Sequence, residues 1–90
     1  MEKLNYGHLF YFYVIAKEGS IKKASEKLFL TQPTLSDQLK SLEEFFKCKL
    51  FDREGRSLSI NKNGQLALEY SEQIFSMGRE LTSVLRNEKK

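Results

Sequence analysis

The 90-residue sequence predicts an all-α fold with one small β-hairpin. Three observations support this fold class. Two short amphipathic segments of helical period lie between Ser20 and Phe46, with only a tight turn between them. A hairpin pattern, LFDREGRSLSI, follows at 50–60. A longer helical pattern then fills residues 62–90. A helix pair, a hairpin with two arginines and a long helix together predict a winged helix-turn-helix followed by a long dimerising linker helix.

Composition and charge limit the classes of protein that the chain can belong to. Ninety residues suffice for one small domain, or a domain with an appended helix. The net charge of +3 permits nucleic-acid binding without requiring it. The single Cys48 excludes an internal disulfide and fits a reducing compartment. No apolar run reaches the ~20 residues of a membrane span, and the N-terminus has no signal-peptide pattern. We therefore expect a cytoplasmic, nucleoid-associated protein without a membrane role.

The first two helices have clear start signals. Asn5 is a good N-cap for a helix that runs to about Lys17, and Gly19 is suited to a left-handed C-cap. This helix is apolar nearly all round, so we expect it to be buried on more than one side. Ser20 caps a second helix that ends near Leu28, and the next two residues form the turn of the helix-turn-helix.

The third helix has the features of a DNA-reading helix. Thr31 caps it, and Pro33 lies in its first turn, where a missing N–H costs nothing. Its inward stripe is apolar: Leu35, Leu39, Leu42 and Phe46. Its outward face carries short polar side chains of the kind that read base edges: Gln32, Thr34, Ser36, Asp37, Gln38 and Lys40.

The hairpin and the last helix complete the chain. Strands at 50–53 and 57–60 are joined by a turn at Glu54 and Gly55, and we call this hairpin the wing. Asn61 caps the last helix, in which Gly64 is an awkward early residue. Its apolar residues recur close to the 3.5-residue repeat of a coiled-coil seam: Leu66, Tyr70, Ile74, Met77, Leu81 and Val84. This seam either pairs with a second copy of the chain, which we favour, or packs within one chain.

Two linked motifs resemble the N-terminal DNA-binding domain of LysR-type transcriptional regulators, over nearly the whole chain. The family pattern [S/T]QPxxSxQIxxLE is matched by TQPTLSDQLKSLE at 31–43. The pattern LFxRxxRxxxLTxxG is matched by LFDREGRSLSINKNG at 50–64. The opening LNYGHLFYFYVIAKEGS is also similar to the NhaR-type subfamily, which activates sodium/proton antiporter genes.

The resemblance implies a domain organisation and a partner. A winged helix-turn-helix occupies residues 1–61, with its helix-turn-helix at about 20–46, and residues 62–90 form the linker and dimerisation helix. An effector-binding domain is expected to follow in the full-length protein. A homodimer or higher homo-oligomer is expected to place two third helices in successive major grooves of a partly palindromic site with a T-N11-A core. The expected DNA-binding residues are Thr31, Gln32, Pro33, Thr34, Ser36, Lys40, Arg53 and Arg56.

Two residues leave alternatives open. Asp37 stands where many members of the family have arginine, and it either accepts a hydrogen bond from a cytosine amino group or faces away from DNA. Arg53 either contacts DNA or braces the hairpin through Glu43 or Glu44.

Other functions are weaker interpretations of the sequence. A winged helix that docks a protein partner without binding DNA would expose apolar residues on the third helix, whose outward face is polar. An enzyme is a distant third hypothesis, because no nucleophile–base pair, metal cluster or phosphate loop is evident. We expect His8 to be a packing or surface residue and Cys48 a small buried hydrophobe. No cofactor or metal is expected.

Overall fold

A computed structural model describes residues 2–55 and 57–88, and in these ranges the chain forms four helices and one two-stranded antiparallel sheet. The elements follow one another with short connections: α1 (Tyr6–Glu18), α2 (Ile21–Leu28), α3 (Gln32–Phe46), β1 (Phe51–Glu54), β2 (Ser57–Ile60) and α4 (Lys62–Leu85). The predicted fold class, an all-α domain with a small hairpin wing, is confirmed.

Each predicted N-cap residue caps its helix. The side chain of Asn5 accepts a hydrogen bond from the backbone N–H of His8, and Ser20 accepts one from Lys23. Thr31 and Asn61 do the same at the starts of α3 and α4. These bonds satisfy backbone donors that a helix leaves unpaired in its first turn. The four caps therefore explain why the helix starts could be read from local sequence.

Three helices end in the left-handed conformation, but only one of them with glycine. Gly19 has φ +80° after α1, as predicted. Phe29 (φ +58°) and Lys47 (φ +61°) adopt the same conformation after α2 and α3. Side chains with a Cβ are disfavoured there by about 1–2 kcal/mol. The tight turn of the helix-turn-helix is thus formed with local backbone strain at Phe29.

The core lies between α1, α2 and α3 and is closed by the first residues of the wing. Its buried apolar side chains are Leu9, Phe12, Val14, Ile15, Ala24, Leu35, Leu39, Leu42, Leu50 and Phe51. Helix α1 packs against α2, α3 and α4, which confirms that it is buried on more than one side. The buried stripe of α3 matches the predicted one except at Phe46, which is only half-buried. Helix α3 is therefore fixed by its inner face, and its polar face stays in solvent.

The wing is paired in one register, with Phe51 opposite Ile60 and Glu54 opposite Ser57. Glu54 is thus part of β1, and the predicted turn at Glu54 and Gly55 was placed one residue too early. The reason is that Gly55 has φ +61°, so the reversal of the chain begins at the residue that accommodates it without strain.

The wing is attached to the start of α4 through Asn61. Its backbone N–H donates to the Leu50 carbonyl oxygen at 3.2 Å. Its side-chain nitrogen donates to the Lys49 carbonyl oxygen at 3.1 Å and to Asp52 Oδ1 at 3.3 Å. The same side chain caps α4 through its oxygen, which accepts from Gly64 N at 2.9 Å. One residue therefore fixes both the first strand of the wing and the first turn of the linker helix.

Gly64 allows α4 to approach the wing closely. A Cβ atom at this position would lie 2.1 Å from the Leu50 carbonyl oxygen and 2.6 Å from Ile60 Cγ1. Gly64, which the sequence marks only as an awkward residue for a helix, is therefore required here, because the backbone of Leu50, just before β1, occupies the space that a side chain would need.

The middle of α4 is held against α1 by a cluster that we call the clasp: Phe10, Tyr13, Lys17, Glu72 and Phe75. The Phe75 ring lies 5.4 Å from the rings of both Phe10 and Tyr13. Tyr13 OH donates to Glu72 Oε1 at 2.9 Å, and Lys17 Nζ donates to Glu72 Oε2 at 2.8 Å. These two hydrogen bonds, that of Lys17 first, hold the pKa of Glu72 below its ordinary value. Beyond the clasp, nearly all of α4 is exposed.

Candidate nucleic-acid interface

The first turn of α3 presents polar groups to solvent. Thr31, Gln32, Pro33 and Thr34 are all exposed. The Thr31 hydroxyl donates to Thr34 Oγ1 at 2.8 Å and accepts from the Thr34 backbone N–H at 3.3 Å. The proton of the Thr34 hydroxyl is therefore free to be donated outward. The turn is held by these two hydrogen bonds and offers both donors and acceptors, as a surface that reads base edges requires.

The remaining α3 residues divide into an outward line and a flank beside the wing. Each residue turns a helix by about 100°, so the positions opposite the buried stripe are Pro33, Asp37, Lys40 and Glu44. All four are exposed. Ser36 is half-buried and lies on the flank toward the wing, where it lines two open clefts between α3 and the hairpin.

Arg53 lies across these clefts from α3. In the antiparallel register Arg53 is opposite Leu58, on the same face of the hairpin as the buried Phe51. This face is turned toward α3, and Arg53, exposed at its outer end, lines both clefts together with Ser36. The fold therefore brings Arg53 of the wing next to the polar face of α3, although Arg53 lies 17 residues beyond Ser36 in the chain.

The alternative that Arg53 braces the hairpin finds no support. Glu43 Oε2 instead accepts the backbone N–H of Leu50 at 2.8 Å, and Glu43 Oε1 lies 3.8 Å from Lys49 Nζ. In the part of the chain that the structure describes, Arg53 lies within 4.0 Å of neither Glu43 nor Glu44. Glu43 therefore holds the connection between α3 and the wing, and among the described residues it does not pair with Arg53. Arg56, the other predicted wing arginine, lies outside the described residues.

Sequence reasoning missed one cation at the interface. Lys22, near the start of α2, is exposed and lines the same cleft as Gln32, Pro33 and Arg53. The first helix of a helix-turn-helix crosses the nucleic-acid backbone, so a lysine just after the N-cap Ser20 was the available signal. Lys22, Lys40 and Arg53 thus place cations from three elements beside the polar face of α3, among the acidic residues Asp37, Glu43 and Asp52 that line the same clefts.

The predicted seam of α4 is largely open to solvent. Five of its six residues, all except Ile74, have between 55% and 66% of their surface exposed. Ile74 is half-buried and packs against the core, next to the clasp. The seam residues Leu66, Tyr70 and Ile74 also border an apolar groove that continues over Leu4 and Cys48. One long helix thus presents a row of large apolar side chains that its own chain does not cover.

The chain has a single cysteine and a single histidine. Cys48 is a free, half-buried thiol in the apolar groove, so the expectation that it is buried holds only in part. His8 is half-buried near the start of α1. Within residues 2–55 and 57–88, no three His, Cys, Asp or Glu side chains cluster in a way that could hold a metal ion. In the same ranges, none of the helices has the length and apolarity that crossing a bilayer requires.

Sequence comparisons agree with this geometry. A profile described as "Bacterial regulatory helix-turn-helix protein, lysR family" matches residues 6–65. The chain is 38% identical over 89 residues to the transcriptional activator protein NhaR of Escherichia coli (strain K12), covering 99% of this chain and 30% of that protein. It is 43% identical over 73 residues to a probable RuBisCO transcriptional regulator of Trieres chinensis, covering 81% of this chain and 24% of the relative. The chain thus spans less than a third of the length of these curated relatives.

Solved structures with the same fold include DNA-binding domains in complex with DNA. The BenM DNA-binding domain in complex with catB site 1 DNA superposes with a TM-score of 0.86 at 30% identity, covering 96% of this chain and 93% of that one. The CbnR DNA-binding domain in complex with DNA has a TM-score of 0.84 at 24% identity, covering 92% and 95%, and at that identity the likeness shows the fold alone.

Proposed function

Since the chain belongs to the LysR family of bacterial regulatory helix-turn-helix proteins, we propose that residues 1–61 are the sequence-specific DNA-binding domain of a transcriptional regulator and that residues 62–90 are its linker helix. The mechanism is non-covalent and is not that of an enzyme. The partner is double-stranded DNA, so the protein acts on the nucleoid in the cytoplasm. The relative NhaR is named a transcriptional activator, and we extend activation to this chain. Control of antiporter genes stays a prediction from sequence.

One observation carries the proposal: the polar face of α3 and the Arg53 side chain of the wing line the same clefts. A helix of this diameter fits the major groove of B-DNA, and cations at its sides then meet the phosphates. We assign base contacts to Gln32, Pro33, Thr34 and Ser36. Thr31 caps the first turn of α3, and we assign it to the DNA backbone. Lys40 and Arg53 are assigned to phosphates, as is Arg56 from sequence alone.

The polar character of α3 also favours DNA over a protein partner. A docking surface for a protein would centre on aromatic and apolar side chains, and those of α3 are turned inward. Leu35, Leu39 and Leu42 are almost fully buried. The exposed apolar residues of the chain lie instead mainly along α4, which supports pairing of two copies there.

Salt-dependent binding tests the assignment of α3. The chain is titrated by fluorescence anisotropy with duplexes of its own upstream region and with a scrambled duplex, at several salt concentrations. We expect Lys40→Ala to weaken binding to both duplexes. It should also reduce, by about one, the steepness of the fall of log K with the logarithm of the salt concentration. Gln32→Ala should weaken the free energy of binding by about 1–3 kcal/mol, and only on the specific duplex.

The matched control is Lys3→Ala, which removes an equal charge beside Leu4, on the α4 side of the domain. It should leave both affinities nearly unchanged. Equal losses from Lys40→Ala and Lys3→Ala would show that binding follows net charge alone, and the assignment of α3 would then be wrong.

We further propose that the exposed seam of α4 pairs two copies, so that the homodimer, or a higher homo-oligomer, presents two α3 helices to one partly palindromic site. The support is the row of exposed large side chains, since an isolated helix with such a stripe normally buries it. Leu81→Glu should shift the sedimentation equilibrium toward monomer and weaken binding to a two-half-site duplex far more than to one half-site. Glu80→Gln, at the neighbouring exposed position, is the control. An unchanged association constant in Leu81→Glu would refute pairing through this seam.

A further inference from the structure

Asp37 occupies the centre of the face that the proposed function turns toward DNA. It lies on the outward line of α3, between Pro33 one turn before it and Lys40 one turn after it, and all three are exposed. Residues in the N-terminal half of such a helix are the ones that meet base edges. A negative charge here faces a duplex that itself carries one negative charge per ~1.7 Å of its axis. The residue therefore requires a specific explanation.

The usual structural roles of an exposed aspartate do not apply to Asp37. Thr31 is the N-cap of α3, and Asp37 is the sixth residue of the helix, beyond the first-turn N–H groups that need a partner. Across residues 2–55 and 57–88, its carboxylate accepts no side-chain hydrogen bond and has no cation within 4.0 Å, although Lys40 and Arg53 line the same cleft. Aspartate is also a weak helix former. Neither capping, ion pairing nor helix propensity accounts for it.

We propose that Asp37 is a specificity-determining residue that selects a cytosine in each half-site by accepting a hydrogen bond from its N4 amino group. A carboxylate is an acceptor only. In the major groove, guanine and thymine offer it no amino donor, and adenine places its N7 acceptor beside N6. Cytosine offers the N4 amino group with an acceptor on one side only, the O6 atom of its paired guanine, whereas adenine N6 lies between its own N7 and the O4 atom of thymine. The same charge disfavours every duplex that lacks a donor at this position, so specificity arises largely by exclusion.

This inference rests on the proposed DNA-binding function and is tested on the 90-residue chain. A site is first selected from a library of random duplexes by the wild-type chain. Each cytosine of the selected half-site is then replaced in turn by N4-methylcytosine, which keeps the Watson–Crick pair and blocks the amino group in the major groove. We expect one replacement to weaken wild-type binding by about tenfold to a hundredfold, the discrimination typical of one good base contact. The Asp37→Ala chain should be indifferent to that replacement.

A second variant tests the same contact through a change in the preferred base. Asp37→Asn has the same shape, and its amide pairs with the N6 and N7 atoms of adenine. Selection with this variant should therefore change cytosine to adenine at that position and leave the rest of the site unaltered. Because the side chain is exposed, both variants should fold, which circular dichroism checks.

Three other outcomes would overturn the inference, and they differ in what they imply for the proposed function. If Asp37→Ala binds all duplexes, scrambled ones included, more tightly by one common factor, the carboxylate only repels phosphates. If no N4-methylcytosine weakens wild-type binding, the amino group is not read. In both cases sequence-specific binding itself stands. If the wild-type chain selects no site at all, the proposed function fails together with this inference.

Discussion

Replacing Gly64 by alanine tests whether the close approach of α4 to the wing governs the stability of the domain. Helix propensity alone predicts that Gly64→Ala is stabilising, by up to about 1 kcal/mol. The structure predicts the opposite sign. The new Cβ atom would lie 2.1 Å from the Leu50 carbonyl oxygen and 2.6 Å from Ile60 Cγ1. Ordinary contacts between carbon and oxygen are about 3.3 Å or longer. The start of α4 must therefore move away from Leu50 by about an ångström.

The cost of this movement can be worked out from the contacts that it disturbs. Overpacking in a fitted site costs about 1–3 kcal/mol. The same movement stretches the 3.2 Å bond from Asn61 N to the Leu50 oxygen and the 2.9 Å cap from Asn61 Oδ1 to Gly64 N. A lost cap costs about 1 kcal/mol. After the gain in helix propensity is subtracted, we expect Gly64→Ala to lower the free energy of unfolding by about 1–3 kcal/mol. For a domain of this size that is a fall in Tm of roughly 5–20 °C.

Gly78 provides the matched control within the same helix. A Cβ atom at this position would meet nothing within 4 Å. Gly78→Ala should therefore raise the free energy of unfolding by up to about 1 kcal/mol. Both variants are unfolded in urea and followed by circular dichroism at one protein concentration, because association would itself stabilise the fold. A Gly64→Ala chain as stable as Gly78→Ala would refute the claim that Leu50 and Ile60 leave no room for a side chain at position 64.

Two further predictions concern the clasp and the strained turn. The lowered pKa of Glu72 means that its bonds to Lys17 and Tyr13 stabilise the fold fully above the unfolded-state value of 4.5, and that this contribution is lost as pH falls through the lowered pKa. Because the bonds to Glu72 raise the pKa of Lys17 above 10.5, the same contribution to stability is lost only when the pH rises through that raised pKa. The difference in urea midpoint between wild type and Glu72→Gln should thus be constant near neutral pH and shrink in acid; a difference that persists unchanged at pH 2 would contradict this. Phe29 is 94% exposed with φ +58°, so Phe29→Asn should raise the free energy of unfolding by up to about 1 kcal/mol, since asparagine tolerates this conformation better. A lower urea midpoint for Phe29→Asn would show that the phenyl ring makes a stabilising contact that outweighs the strain.

The features that could be predicted from sequence are those set by a few neighbouring residues. Asn5, Ser20, Thr31 and Asn61 each cap a helix with a side chain that bonds a backbone N–H three residues later, so the signal and the structure lie within one turn. The period of apolar residues likewise fixed which face of α3 is buried. The polar face, and with it most of the candidate interface, followed from that single assignment.

The features that could not be predicted depend on residues far apart in the chain. The need for glycine at 64 arises from the backbone of Leu50, which no local pattern reveals. Glu72 bonds Tyr13 and Lys17 across 59 and 55 positions. The left-handed backbone at Phe29 carries no glycine or asparagine signal, although the tight turn between α2 and α3 uses this conformation. At Gly64 and Glu72, contacts between residues distant in sequence set the structure.

The attachment of the wing to α4 has a consequence for how the proposed dimer would read DNA. Asn61 bonds Leu50 and Asp52 of the wing while it caps α4, and Gly64 keeps the two backbones in contact. Helix α3 is joined to the same wing, because Glu43 accepts the Leu50 backbone N–H at 2.8 Å and the α3 leucines share one core with Leu50 and Phe51. A tilt of α4 that altered the spacing of two half-sites would therefore also load the connection between the wing and α3. Half-site spacing, backbone contact and base readout are thus coupled in this fold through residues 50–52 and Glu43.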